Sequence, residues 1–393
     1  MNGKTFLICF DTSPDQFGPI MRVAELIIRD HGLDGHVIVP KDFSFSTSYH
    51  SLTKLSINDF YAVAELLTLH FLPGRNGCAG RFGFESKSLE TLLKKLKPEF
   101  IWIHAEFWEG IARQFLWHYR FQKNPSIVAY VALNDAKSRI PLLSAQFPFL
   151  SRTRLYQILL WPRLDGVAAC ATKSMECARR IGLPEQVPVA VNYLPVFGPK
   201  EAAREGITLP WQRNTSFVIG FAGFISEQKG WKILLRAVGQ LPERFKLVLA
   251  GDGEQRDELE TWLKKPALKN RAYFAGWLPK DRLLGTYPLF DVFVLPSLTK
   301  PPSPEQFGCV LAEAMACGVP VIGSNSGAIP ETVGEAGLIV PEGDPDALAK
   351  AIFKMSEDDH LRKRAIAWGL ERYRTHYSCE AYARSIVGLL HIP

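Results

Sequence analysis

Residues 291–323 read DVFVLPSLTKPPSPEQFGCVLAEAMACGVPVIG. The run opens on a short apolar, β-rich segment, Asp291–Pro296, and passes through a proline-containing loop. Phe307–Cys317 then reads as a helix, stopped by Gly318 and Pro320 before a second β-rich run, Val319–Gly323. Strand, helix and strand in so short a span form the unit of a parallel sheet, because parallel neighbours need a crossover and the crossover is usually a helix.

The same alternation extends outward in both directions. Toward the N-terminus lie Arg271–Gly276, Phe245–Gly251 and Phe217–Gly223, and toward the C-terminus Leu338–Pro341. Before a lapse at Pro199–Thr215 an earlier series comprises Thr5–Phe10, His36–Pro40, Phe100–His104, Ser126–Val131, Gly166–Thr172 and Pro188–Leu194. Helical stretches such as Ile20–Asp30 and Gly110–Arg120 separate them, and the chain closes on two more, Leu361–Tyr373 and Cys379–Leu390. The fold expected is α/β: two tandem doubly wound parallel-sheet (Rossmann-like) domains with a cleft between them. The boundaries are 1–200, a linker at 201–215, 216–375, and a terminal helix at 376–393 that is free to pack back on the first domain. Residues 41–98 are the least regular part, with loops expected at Tyr49–Ser56 and Pro73–Phe84 that are placed to shape a substrate site.

The length of 393 residues suits two such domains. With 47% hydrophobic and 22% charged residues the composition is that of a globular protein, and no apolar run reaches a membrane-spanning length. Seven cysteines without a Cys-x-x-Cys argue against a disulfide framework and a zinc site, and a cytoplasmic setting is expected. The net charge of +6 is lopsided: residues 87–180 hold 15 basic residues against 7 acidic ones. Such a face suits a phospholipid headgroup, a lipid-pyrophosphate or simply water. The basic, aromatic stretch Phe147–Arg163 is one place for contact with an anionic membrane, and an ordinary sheet-packed helix is the alternative. The modest excess without a recognition motif disfavours nucleic acid.

A helix starting after the Asp291–Pro296 strand offers unpaired amides and a positive dipole end to an anion. Glu305 and Glu313 flank it with seven residues between them. Eight helical steps would part them by about 12 Å, more than the roughly 5–9.5 Å of a glycoside-hydrolase carboxylate pair. They are better spaced to hold hydroxyls at two ends of an elongated ligand such as a nucleotide-sugar.

Glu305-Gln306-Phe307-Gly308 and Ala312-Glu313-Ala314-Met315-Ala316 resemble the Glu-x7-Glu signature of the retaining glycosyltransferases of the GT-B fold, family 4 (glycosyl transferases group 1). The resemblance implies that Glu305 contacts the donor sugar, that Glu313 binds the ribose hydroxyls, and that Phe307, Gly308, Cys309 and Val310, with Gln306 beside them, face the sugar and diphosphate. Gly220–Gly230 resembles the family's strand-to-helix turn, with Gly223 in place and Lys229 at the lysine that meets the diphosphate; Phe224 stands where an arginine is usual. Gly251, in Leu249–Gly253, resembles a donor-contacting turn, and Trp277 and Leu278 follow the element that holds the base. Gly327, Pro330 and Glu331 match a later helix start of structural character.

In the first domain, expected to bind the acceptor, Gly18 of Phe17-Gly18-Pro19 is what remains of the family's early glycine loop. Asn134-Asp135 lies where a His-Asp pair is common; Asn134 can hydrogen-bond a substrate but not act as acid or base, and Asp135 falls on the acceptor side. His104, ending its strand and facing the expected cleft, is a candidate substitute, with a structural role as the alternative. The resemblance implies sugar transfer with retention from a nucleotide-diphosphate sugar to a glycan or lipid-linked acceptor, with no metal and no cofactor. A non-catalytic nucleotide-sugar binder or partner subunit is the alternative, and a nucleotide-sugar epimerase is a third.

Overall fold

The structure, a computed structural model, describes residues 4–10, 14–40, 67–72, 85–106, 110–132, 160–201, 205–300 and 304–393. The described residues fall into two compact units, one of Met1–Tyr193 with Cys379–Pro393 and the other of Leu194–Ser378.

The first unit is built on seven parallel strands: β1 (Thr5–Phe10), β2 (Asp34–Pro40), β3 (Leu67–Leu72), β4 (Phe100–Glu106), β5 (Ser126–Val131), β6 (Gly166–Ala169) and β7 (Val189–Val191), in the order β3-β2-β1-β4-β5-β6-β7. Central strands of such a sheet are covered on both faces and read as unbroken apolar runs. Phe6, Leu7, Ile8 and Cys9 of β1 are all fully buried, as are Ile101, Trp102 and Ile103 of β4. β3 lies within the stretch expected to be irregular. It is an edge strand, and Thr68 and His70 break up its apolar run.

The first helix spans Pro14–His31, so Gly18 and Pro19 lie within it and not in a loop before Ile20. Proline is well suited to a first helical position, where its missing N–H costs nothing, and Pro14 supplies the start. The C-terminal helix Cys379–Leu390 belongs to this same unit. It buries Tyr382, Ile386 and Leu390, its Cys379 thiol donates to the Pro19 carbonyl (3.5 Å), and Tyr382 packs beside Trp102 at a ring separation of 5.8 Å.

The second unit has six parallel strands, β8 (Phe217–Ala222), β9 (Phe245–Ala250), β10 (Ala272–Gly276), β11 (Val292–Leu295), β12 (Val321–Ser324) and β13 (Gly337–Val340), ordered β10-β9-β8-β11-β12-β13. Strand order reverses at β8 and β11. The carboxyl ends flanking such a reversal open a crevice where open α/β sheets bind ligands. The unit begins at Leu194, before the expected linker at 201–215.

Candidate functional site

Two turns follow the strands at the reversal. After β8 the chain forms a short 3-10 turn, Glu227–Lys229, closed by Gly230 at φ 69°. A Cβ on Gly230 would lie 1.9 Å from the Pro296 carbonyl oxygen, so only glycine fits. The Leu298 amide donates to the Gln228 carbonyl across the same seam (2.7 Å). The β8 turn and the loop after β11 are thereby clamped together, backbone to backbone.

The clamp sets Lys229 against Glu305. The Lys229 ammonium donates to Glu305 Oε2 at 2.6 Å, and the Ser297 hydroxyl donates to the same oxygen at 2.9 Å. Glu305 is 9% exposed. Its own carbonyl accepts from the Ala328 amide (2.9 Å), and Gly327 at φ 54° would place a Cβ 2.0 Å from that carbonyl oxygen. The glutamate is thus fixed from both ends, by its carboxylate and by its backbone.

The helix that follows runs Cys309–Ala316, with Gly308 in the left-handed region (φ 84°) as its N-cap. It begins two residues later than expected, because the turn through Gly308 needs a conformation a helix excludes. Glu305 therefore stands outside the helix, and the spacing of Glu305 and Glu313 does not follow from a straight helical rise. Ahead of Gly308, Phe307 is buried against Tyr377 (5.4 Å), and the Thr332 hydroxyl donates to its carbonyl (2.6 Å). The first-turn amides, Cys309 and Val310, form the positive end of a short dipole. Burial pushes the Cys309 thiol up to about 12, so it stays protonated and is no nucleophile at neutral pH.

Glu313 is 3% exposed on the same helix. Lys280 donates to its Oε1 at 2.6 Å and the Tyr287 hydroxyl to its Oε2 at 2.9 Å. Burial first, and then the adjacent carboxylate, hold the Tyr287 hydroxyl well above the usual tyrosine range, so it remains a donor. Both carboxylates are nearly buried while their lysines reach solvent, so the two acids depend on these donors to replace lost water.

The expected donor residues are thus gathered at the carboxyl edge of one sheet. Gly223 and Phe224 follow β8, Gly251 follows β9, and Trp277 and Leu278 follow β10, Trp277 being 46% exposed and Leu278 buried. The Gly223 amide donates to Ala250 (3.0 Å) and the Gly251 amide to Gly276 (2.8 Å), which lines up the three strand ends. Gln306 precedes the helix. Ser297, Lys280 and Tyr287 were not expected here. The one signal for Ser297 was its place just after a strand, and for Lys280 its nearness to Trp277. Lys300 pairs with Glu227, on the same turn as Lys229.

The first-unit candidates fare differently. The His104 ring is fully buried, stacked on Tyr130 at 4.6 Å and edge-on to Trp102 at 5.6 Å. Burial lowers its pKa to about 3, so it is a neutral ring packed in the core. That corrects the expectation that His104 ends its strand and faces a cleft, since β4 continues to Glu106 and the ring is enclosed; the structural alternative fits. Gly18 is a helical residue, as described above. Asn134 and Asp135 lie outside the described residues. Among the described residues no group of three His, Cys, Asp or Glu side chains is arranged to hold a metal ion, and no helix is long and apolar enough to cross a membrane.

Comparison with known proteins falls on this same unit. Residues 210–372 match the family model described as glycosyl transferases group 1. The O-antigen chain mannosyltransferase B of Escherichia coli is 34% identical over 167 residues, covering 41% of this chain and 42% of that protein. The D-inositol 3-phosphate glycosyltransferase of Corynebacterium jeikeium is 32% identical over 174 residues, 41% of this chain and 40% of that one. Across the first curated relatives the chain spans between 36% and 62% of their length. Among solved structures, a glycosyltransferase from Rickettsia africae superposes with a TM-score of 0.72 at 15% identity, covering 100% of this chain and 99% of that one. Anabaena HepE in complex with UDP gives 0.69 at 18%, covering 99% of both chains. At these identities the likeness is one of fold.

Proposed function

We propose that the chain, whose residues 210–372 match the glycosyl transferases group 1 model, transfers a hexose, with retention, from a nucleotide-diphosphate sugar to a glycan or lipid-linked acceptor. The observation that carries this reading is the Lys229–Glu305 contact beside the start of the helix Cys309–Ala316, at the reversal of strand order. It sets a compact cation and a fixed carboxylate next to backbone donors, the combination an anionic leaving group with an attached sugar calls for.

In the proposed reaction Glu305 orients the sugar hydroxyls and Glu313 accepts from the ribose. Trp277 walls the base. An acceptor hydroxyl attacks C1 on the face the diphosphate leaves; the C1–O bond to phosphate breaks, and the departing phosphate oxygen takes the acceptor's proton. Lys229 and the Cys309 and Val310 amides carry the developing charge, so we propose that no metal is needed. The acceptor meets the first unit, and the reaction runs in the cytoplasm, with peripheral contact to an anionic membrane where the acceptor is a lipid. HepE complexes with UDP and with UDP-glucose make uridine donors the first to try.

Phe224, at the place of a second cation, favours a competing reading in which the chain binds nucleotide-sugars without turnover. Incubation with a panel of nucleotide-sugars, following release of nucleoside diphosphate with and without a pool of glycan and lipid acceptors, separates the two. Acceptor-dependent release supports transfer. Saturable binding without release supports the second reading, and absence of binding to every donor refutes both.

A further inference from the structure

We propose that the tip formed by Trp117, Arg120 and Phe121 docks the first unit on an anionic lipid bilayer. Phe121 is 89% exposed and Trp117 50% exposed, and both stand at the end of the helix Gly110–His118. The Arg120 guanidinium lies over both rings, 4.2 Å from the Trp117 centroid and 4.8 Å from that of Phe121. A single exposed ring would need no explanation, but Trp117 and Phe121 are joined through Arg120 into one projecting aromatic and cationic patch.

The tip is held in place at some cost. Arg163, whose side chain is 10% exposed, donates to the carbonyls of Tyr119 (3.2 Å), Lys123 (3.1 Å) and Pro125, and pairs with Asp165 at 3.0 Å. Asp165 in turn accepts from the Ile127 amide at 2.7 Å, which ties the loop to β5. A nearly buried guanidinium is therefore spent on fixing the loop that projects Phe121. Arg163 was the described end of the basic stretch expected to meet a membrane. It faces inward instead, and the surface it stabilises carries the exposed rings.

The surroundings are cationic. The helix Ser86–Leu96 packs into the same core as the helix Gly110–His118, through Leu92 and Phe115 among others. It ends in Lys94, Lys95 and Lys97, all exposed, and Lys123 is exposed on the loop itself. Among the described residues Asp165, paired with Arg163, and Glu90 are acidic here, and Glu90, Lys94 and Arg120 all act on His118. Projecting aromatic rings with interleaved cations suit an interface that needs no pocket: the rings enter the headgroup boundary and the cations meet anionic lipid. A protein partner would need a socket for Phe121, and a single-stranded nucleic acid would stack on the same rings; both are outcomes of the test.

The full chain is floated with phosphatidylcholine vesicles, with and without phosphatidylglycerol. This binding is read without turnover, so it stands apart from the donor reading. Wild type is expected to float only with the anionic lipid, and Trp117→Ala/Phe121→Ala to lose roughly ten- to hundredfold in partition coefficient. Arg120→Gln/Lys123→Gln should fall in the same direction and show a weaker salt dependence, while Trp368→Ala, an exposed ring of the other unit, should float as wild type does. Unaltered melting of each variant shows that the fold is kept. Equal flotation of wild type and the aromatic double variant overturns the proposal. So does failure of wild type to float, saturable capture of oligothymidylate that displaces the vesicles, or a change in oligomeric state on substitution.

Discussion

Replacing His104 by phenylalanine keeps a ring between Trp102 and Tyr130 and removes one titratable group. In the folded chain this imidazole has a pKa lowered from 6.5 to about 3 by complete burial. Above pH 6.5 it is neutral in both folded and unfolded chains and contributes nothing to pH dependence. Below that value the unfolded chain takes a proton that the folded one refuses, so stability is lost as pH falls toward 3. Integrated from neutrality to pH 5, the linkage amounts to about 2 kcal/mol, or about thirtyfold in the opening equilibrium. Because the chain has two units, a single unfolding free energy is ill defined, and the readout must be local. Hydrogen exchange of peptides spanning β4 and β5, corrected for the intrinsic pH dependence, supplies it. Wild-type protection should fall about thirtyfold more between pH 7 and pH 5 than that of His104→Phe. Every other histidine is present in both chains and cancels in the comparison. If protection falls equally in the two, the ring is charged in the folded protein. The burial argument is then wrong, and His104 returns as an acid–base candidate.

Four further outcomes are expected. Lys229→Ala and Glu305→Gln should each lower acceptor-dependent release of nucleoside diphosphate at saturating donor by on the order of 10²–10³; unchanged turnover in either variant removes the proposed mechanism. Tyr287→Phe should cost about 2 kcal/mol in urea unfolding of the second unit and weaken nucleotide binding, since one oxygen of Glu313 loses its donor; a wild-type midpoint would show that the hydroxyl does not hold the carboxylate. Gly327→Ala, strained by its φ and by the Glu305 carbonyl, should lower both stability and donor affinity, and calorimetry on a folded variant with wild-type affinity would refute the backbone clamp. Exhaustive chelation with EDTA should leave transfer intact, and loss restored by a divalent cation would place a metal in the reaction.

The strands of the second unit were legible to within two residues because each is a short, mainly apolar run with glycine or proline at or near its end. What composition could not reveal was where the strand ends as a hydrogen-bonded object. β4 runs two residues past His104, so the histidine stands inside the strand with its ring in the core and not at a strand end facing a cleft. The donor helix was misjudged for a related reason. Gly308 was counted inside it, yet its positive φ makes it the cap, and Glu305 is left in the preceding turn. Lys229 and Glu305 could each be picked out from local motifs. Their contact could not, because they are 76 residues apart and meet only through the Gly230–Pro296 seam. Tyr287 left no local mark at all, and Lys280 none beyond its nearness to Trp277. Their importance comes entirely from facing Glu313 across a helix packing that only the fold creates.

The pairing of charges also bears on Phe224. Lys229 and Lys280 are each committed to a carboxylate, so before a donor arrives these two pairs carry no net charge. An ammonium has three donors, however, and Glu305 takes one of them at Lys229. In the proposed complex the carboxylate's work is then to hold that ammonium still, so that its other protons face the diphosphate without reorganising. Preorganised donors of this kind are worth more than mobile ones, because the folding of the turn has already fixed their direction. The Glu227–Lys300 pair is exposed on both sides, so water competes for it and that lysine is held far less firmly than Lys229. If that fixed ammonium and the helix terminus suffice for the leaving diphosphate, Phe224→Arg should leave acceptor-dependent release near the wild-type rate, and a large gain would show that a second cation is missing.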